Sequence, residues 1–597
     1  MQSHLGGVLG SFIGAALLLL PAPAAAQTGV AWAEFSKQPS QLAVSPLSLS
    51  DTSTQAQFAI GDLDKDGWDD VVAVRKETMS VGKRRAFLLL NENGVLTDAT
   101  AQYATASDVP GDLGFNQPTT TTEAAIVDVD NDTWLDVVTS VAFSDGDPKV
   151  LSHPRVYVNL GADGSGNWLG LRFENSRMPQ LTTIGGLAVA PRFIDVAAGD
   201  VTGDGFADLY FVDADSTGFP EVAGQDLNDR LLVNDGNGFF FDASLALTLA
   251  QLQSAFGADV ECLDLNADGL RDIVKVTAAG PPTAVRALYN SGAGFASTGI
   301  SEVAAGSPWG VGVGNLNNDA LVDVAIADDG ADGFKLGTGL DGSSKVVWSG
   351  LHPFQFVSGG DDGTARDVQL ADLDGNGWND VLITSVNPLS GGCSTRLHVY
   401  HNLGTVPGDM SPVLKEESEL ASGSFGAGWK GVVGMTVPDL RGTYDVGVAD
   451  FDKDGDLDML VANCNLGTNY WQNEAAGAVC QADLGFAGPG SVELAICGQD
   501  LTQAGHTATL SLAGAAPGQT IFMALGLVAN PMPLKGGTLV PSPVLALLTS
   551  FSTDGTGGFS APITAGAGAP THIIMQCVVK NGAAFEFSNA VDLHIGL

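Results

Sequence analysis

The chain is poor in positive charge and carries no familiar catalytic signature. Its 597 residues include only 26 Lys and Arg against 68 Asp and Glu, a formal net charge of -42. Such a field repels polyphosphates, so nucleic acid is excluded as a partner. Helical periodicity is missing. No apolar run after the first 20 residues is long enough to span a membrane. There is no Gly-x-Ser-x-Gly elbow, no His-Glu-x-x-His and no P-loop, and Gly310-x-Gly-x-Gly314 alternates like a strand. Histidines number eight, cysteines six. His398 and His401 would project from opposite faces of a strand, which makes a poor metal pair. His153 and His352 stand alone as candidate loop bases, and Trp168 and Trp348 as loop aromatics that could stack on sugars or simply pack. At 45% hydrophobic residues a core is affordable, so general disorder is excluded as well.

What the chain does have is a nine-residue acidic loop, repeated. It first reads Asp62-Leu-Asp64-Lys-Asp66-Gly-Trp68-Asp-Asp70. It returns with Asp128, Asp130, Asp132 and Asp136, then with Asp200, Asp204 and Asp208, and then with Asp264, Asn266, Asp268 and Asp272. A weaker copy has Asn315, Asn317, Asp319 and Asp323. The last two have Asp372, Asp374, Asn376 and Asp380, and Asp450, Asp452, Asp454 and Asp458. The seven copies start 51 to 78 residues apart, the mark of a repeat architecture.

Each loop is flanked by strands. Apolar residues alternate before it, as in Phe58/Ile60, Val196/Ala198 and Val446/Val448, and a short apolar run follows it. A third strand usually ends in Asn, at Asn91, Asn159, Asn234, Asn290, Asn402 and Asn473. A Gly turn and a fourth strand complete the unit. The expected fold class is therefore all-β, a seven-bladed β-propeller. Blade seven lacks a fourth strand after Asn473. Residues 30–36, with Trp32, Glu34 and Ser36 echoing Phe240, Asp242 and Ser244, are expected to supply it and close the ring.

Alternating oxygen donors in a tight loop suit calcium, which takes six to eight hard oxygens. Positions 1, 3, 5 and 9 carry the side-chain donors, and position 7, for example Trp68, offers a carbonyl. An EF-hand would need a carboxylate at position 12 and flanking helices, and a strand occupies that place here. The metal is expected to tie strands one and two of each blade. The loops starting at Asp62, Asp128 and Asp450 are the strongest copies. Loop three has Thr202 at position 3, and loop five has only two carboxylates.

These loops, with Phe256-Gly257 and Trp309-Gly-Val-Gly-Val-Gly314, resemble the FG-GAP/VCBS repeats of integrin α-subunit propellers and of many bacterial secreted proteins. The resemblance spans about residues 50–475. It implies the propeller, up to seven structural Ca2+ sites on one face, and ligands on the other face. That family holds adhesion modules, lectins and some lyases, so it implies no single activity.

Five residues before each loop the chain reads Gln57, Glu123, Asp195, Asp259, Gly310, Asp367 and Asp445. The acidic five are expected to rim the channel at the end away from the loops. They would form a cation- or polyol-binding mouth there, or else bond neighbouring backbone.

At the N-terminus, the apolar run Leu5–Leu20 and the small residues Ala24 and Ala26 read as a signal peptide, residues 1–26, although only His4 precedes the run as a basic residue. The propeller is assigned to 27–478. Residues 479–597, rich in Gly, Ala, Pro and Thr, alternate as a small antiparallel β-sandwich. They are similar to a C-terminal module of large secreted bacterial proteins. Cys480 and Cys497 are candidates to pair, as are Cys393 and Cys464; Cys262 reads as a core thiol, and Cys577 has no evident partner. The functional expectation is a secreted or cell-surface/periplasmic, calcium-stabilised, non-catalytic binding or adhesion module for glycans or surface proteins, with no membrane span after signal cleavage. The alternatives are a polysaccharide lyase-like enzyme at the channel mouth and a structural envelope protein.

Overall fold

The computed structural model is all-β. It describes residues 32–596 except 34, 44–53, 78–81, 145, 183–190, 215–227, 254–256, 279–282, 293, 355–364, 386–395, 406–409, 418–434, 436, 464–465, 474–478, 481, 486–491, 499–500, 502–506, 536, 542, 554–556, 567–569 and 583. The expected signal peptide, Cys393 and Cys464 lie outside the described residues. Helix among the described residues is confined to one-turn pieces, and no helix is long and apolar enough to cross a membrane.

Before residue 475 the described strands form seven sheets of four or five strands, plus one hairpin; the pairing is antiparallel except for the two-residue outermost strands Leu42–Ala43 and Ala106–Ser107, which pair in parallel. In each sheet, an inner strand leads into an acidic loop, and the second strand starts at the ninth loop residue. Sheet one runs Thr54–Gly61, Asp70–Glu77, Phe87–Asn91 and Leu96–Asp98. The register puts Gly61 opposite Asp70, and the same pairing recurs down to Ala449 opposite Asp458. The last sheet takes Phe35–Lys37 as its outer strand, with Phe35 opposite Asn473 and Lys37 opposite Trp471. This is shorter than the 30–36 stretch expected, of which residues 30, 31 and 34 lie outside the described residues.

Inner strands pack against one another in sequence, and Thr443–Ala449 of the last sheet packs against Thr54–Gly61 of the first. Hydrophobic clusters lie between successive sheets. Leu63, Val72 and Leu88 meet Val137 and Tyr157 between sheets one and two. Val71 and Leu89 meet Phe451, Leu460 and Tyr470 between sheets one and seven. Each buried Leu, Val or Phe contributes about 1.5–3 kcal/mol of transfer free energy, so these seams are the main adhesive of the array. Radial sheets with inner strands in a closed series of contacts are a β-propeller.

After residue 478 the pattern changes. A four-stranded sheet and a five-stranded sheet share one core, built from Leu494, Ile496 and Leu510 on one side and Ile521, Met523, Val579 and Val591 on the other. Cys480 stands opposite Cys497 in strand register.

Candidate metal loops and the channel rim

The acidic loops share one backbone shape. The residue at position 4 has positive φ in every copy: Lys65, Asn131, Gly203, Ala267, Asn318, Gly375 and Lys453. Position 6 does so in six, with Thr133 strained at φ 76° and Gly the usual occupant. The exception is Ala320 of loop five.

Position 9 anchors every loop. Asp70 Oδ2 accepts the N–H of Leu63 at 2.9 Å and its Oδ1 the N–H of Asn91 at 2.9 Å. Asp136, Asp208, Asp272, Asp380 and Asp458 repeat both bonds. Asp323 bonds Leu316 and Gly337 instead. Burial pushes Asp70 up to about 8, Asp136 and Asp458 to about 7, and Asp272 and Asp323 to about 6, with neighbouring loop carboxylates adding to the rise. Position 9 was expected only as a metal donor. It is first the pin between loop and third strand.

Position 1 divides the loops. Asp62, Asp128 and Asp450 each spend Oδ2 on the position-6 N–H. Their Oδ1 atoms are covered from solvent and accept no well-formed hydrogen bond, although the Lys453 and Asp454 N–H groups stand near the Asp450 carboxylate. In loop three, Asp200 Oδ2 likewise accepts the position-6 N–H of Gly205, but its Oδ1 accepts the N–H groups of Gly203 and Asp204. Asp264 and Asp372 likewise spend both oxygens within their loops. Carboxylate oxygens gather within 4.8 Å in Asp62/Asp64/Asp66, Asp128/Asp130/Asp136 and Asp450/Asp452/Asp458. In loop two Arg177 bonds Asp130 Oδ2 at 3.1 Å and leaves Oδ1 covered and unbonded. Asp456 adds a buried carboxylate to loop seven, neither oxygen of which is hydrogen-bonded. Asp132 and Asp454 cap position 7, accepting the N–H of Trp134 and of Asp456.

In loop six a histidine faces the position-3 carboxylate, and one ligand atom each of Asp374, Asp380 and His401 lies within 4.8 Å of the others. His401 Nε2 lies 2.9 Å from Asp374 Oδ2. Burial pulls this imidazole down, but hydrogen bonds to Asp374 and Glu417 outweigh it and raise His401 to about 9. Asn376 donates to the Asn402 carbonyl and contacts His401. In loop four, Asn266 donates to the Ser344 carbonyl; in loop five, Asn317 bonds Asp319, and Asn315 donates to the Asp319 carbonyl.

The Asn that closes each third strand has a purpose that sequence reading missed. Its Nδ2 reaches back to the position-2 carbonyl of the preceding loop. Asn159 bonds Leu63, Asn234 bonds Val129, Asn290 bonds Val201, Asn402 bonds Leu316 and Asn473 bonds Leu373, all at 2.7–2.8 Å. Asn91 bonds Phe451, joining the first sheet to the last. Sheet five has Gly337 there, where a Cβ would stand 2.5 Å from the Val322 carbonyl oxygen. Position 4 reaches the other way: Lys65 lies over Trp134 and Lys453 over Trp68, at 4.4 and 4.1 Å.

At the far end of the inner strands, register irregularities mark sheets two to seven but not sheet one. Bulges re-aim side chains, and the acidic series sits beside them. Asp195 Oδ2 accepts the N–H of Val260, Asp259 Oδ2 that of Val311 and Asp445 Oδ2 that of Phe58, each on the next sheet. Three of the five carboxylates thus take the second expected role and bond neighbouring backbone. The group also converges. Burial and mutual repulsion raise Glu123, Asp259 and Asp445 well above the ordinary carboxylate range, and Asp367 adds to the field at each of them. Burial raises Asp195 too. Glu261, two residues on from Asp259, is pushed up to about 8 by burial and by Asp195 and Asp367. Sequence reading missed it, although strand alternation sends Asp259 and Glu261 to the same side. Gly310 leaves the gap in the series because a Cβ there would stand 2.3 Å from the Arg366 carbonyl oxygen.

The candidate bases are engaged elsewhere. His153 is buried among Ser152, Gln180 and the Leu181 N–H, and burial lowers it to about 4. His398 bonds Glu416 and His352 stacks on Phe334. Trp168 donates to Asn159 and packs on Tyr103. Cys262 and Cys577 are free thiols.

Neither the known protein-family models nor the curated proteins match this chain. Among solved structures, one described as the Dos1 propeller is similar over 74% of this chain and 86% of its own, at 10% identity and a TM-score of 0.32. The assignment to the β-propeller class stands on the strand pairing and on the closed series of inner-strand contacts.

Proposed function

We propose that this chain is a secreted, calcium-stabilised, seven-bladed propeller of FG-GAP/VCBS type with a C-terminal β-sandwich, acting as a non-catalytic binding or adhesion module for glycans or surface proteins. Residues 1–26 are the signal peptide, 27–478 the propeller and 479–597 the sandwich. The observation that carries calcium is the open Oδ1 of Asp62, Asp128 and Asp450. A covered carboxylate oxygen with no donor costs free energy unless a cation meets it. Asp62, Asp64, Asp66 and Asp70 would hold one ion, Asp128, Asp130, Asp132 and Asp136 a second, and Asp450, Asp452, Asp454, Asp456 and Asp458 a third. Bound calcium supplies positive charge to loops whose carboxylates otherwise repel. The binding role is supported by the engagement of every candidate base in packing or ion pairs. A glycan array run with calcium and with chelator tests it; signals that require calcium are expected, and a blank array with active cleavage of uronate polymers overturns it. Glu261, raised to about 8 beside Asp195 and Asp367, favours a second reading as a proton donor in a lyase-like site at the channel mouth.

A further inference from the structure

The C-terminal sheet carries a cluster of a different chemistry. The strand Ala584–Gly596 sends Val591, Leu593 and Ile595 into the core. Asp592 and His594 alternate to the outer face. The neighbouring strand Pro570–Asn581 places His572 directly opposite His594. One ligand atom from each of the three side chains falls within 4.8 Å of the others.

The spacings within the trio fit a metal site. His572 Nδ1 lies 3.4 Å from Asp592 Oδ1 and from Oδ2, and His594 Nε2 lies 3.6 Å from Asp592 Oδ2. Those gaps are longer than the ~2.9 Å of a good N–H···O bond. They match the ~3.4 Å edge between donors set about 2.0–2.1 Å from a tetrahedral zinc ion. The imidazole centroids are only 3.6 Å apart. Asp592 Oδ1 is covered from solvent and accepts no hydrogen bond. The outer face of an antiparallel sheet places no packing demand for this trio.

We propose that His572, Asp592 and His594 bind a borderline divalent transition metal, with zinc as the type, at a site separate from the acidic loops. Two nitrogen donors and one carboxylate disfavour calcium, which takes oxygen ligands, and suit zinc. The histidine side chains are 61% and 45% exposed, so the remaining coordination position faces solvent.

The test uses the full chain without a polyhistidine tag, stripped of metal and then held in excess calcium so that the acidic loops are occupied. Zinc is titrated calorimetrically, and cobalt is followed by its visible absorption. One equivalent is expected. H572Q and H594Q should each weaken it by at least about tenfold and abolish the cobalt band, whereas D450N leaves it unchanged. The outward placement of both histidines keeps the variants folded, and matched melting curves check this. Absence of a bound equivalent, or full affinity in both histidine variants, overturns the proposal.

Discussion

Asp62 and Asp200 occupy the same place in the same loop and meet different fates. Asp62 keeps one covered oxygen free of donors, whereas Asp200 is wrapped by three N–H groups of its own loop. The difference follows position 3. Loops one, two and seven carry Asp64, Asp130 and Asp452, whose charge repels position 1 and holds the loop open. Thr202 in loop three has no charge, Asn266 in loop four turns to the Ser344 carbonyl, and Asp374 in loop six faces His401. One motif thus builds two kinds of turn. The first leaves a carboxylate oxygen open, where the proposed cation would sit; the second supplies its own donors.

The largest effect that can break this comparison is metal removal. Each ion held at a hundredfold excess over its Kd adds about 2.7 kcal/mol. Chelation is therefore expected to lower Tm by on the order of 10 °C, with calcium restoring it and three equivalents taken up in equilibrium dialysis. D62N, D128N and D450N should each remove one equivalent, and D200N none. Seven equivalents, or an unchanged Tm, would erase the distinction between the loops.

Much of the scaffold was legible because it repeats. The strand alternation, the loops and the need for an N-terminal strand beside Asn473 all came from period and pattern. The ranking of loops one, two and seven came from counting carboxylates, and it coincides with the free oxygens. The Asn series was visible as a strand ending, but its bond reaches a carbonyl 86 or more residues away in blades that sequence cannot place side by side. Glu261 escaped notice because only one position per strand was followed into the channel. His572 and Asp592 lie on separate strands, and their juxtaposition depends on a register that turn residues alone do not fix.

A second comparison sets the Asn bonds against the metal. Asn290 ties a self-satisfied loop at Val201, and Asn91 ties an open one at Phe451. N290A leaves a buried carbonyl unbonded and should cost about 1–3 kcal/mol in urea titration. N91A is expected to cost less in calcium, where the ion holds loop seven, and as much once chelator is added. Equal losses under both conditions would separate the bonds from the ions. Loop six offers a gain instead. H401Q removes the imidazolium beside Asp374, and dialysis should then find one further calcium equivalent, weaker than the other three.

The smallest effect concerns the other end of the inner strands, where no ion is invoked. Burial and the Asp195 and Asp367 charges raise Glu261 to about 8, above its value in the unfolded chain. A folded-state acid raised in this way binds its proton more tightly than the unfolded chain does. Its contribution to stability is complete below about pH 4 and is lost as pH rises through about 8. With calcium saturating the loops, Tm should therefore drift downward between those values, and E261Q should flatten the drift by a degree or two, on the order of the shift one altered proton site produces. The same drift in E261Q would assign the pH dependence to Glu123, Asp259 and Asp445. Flattening would show that the two ends of the inner strands manage like charge differently, by cation at the loops and by proton at the rim.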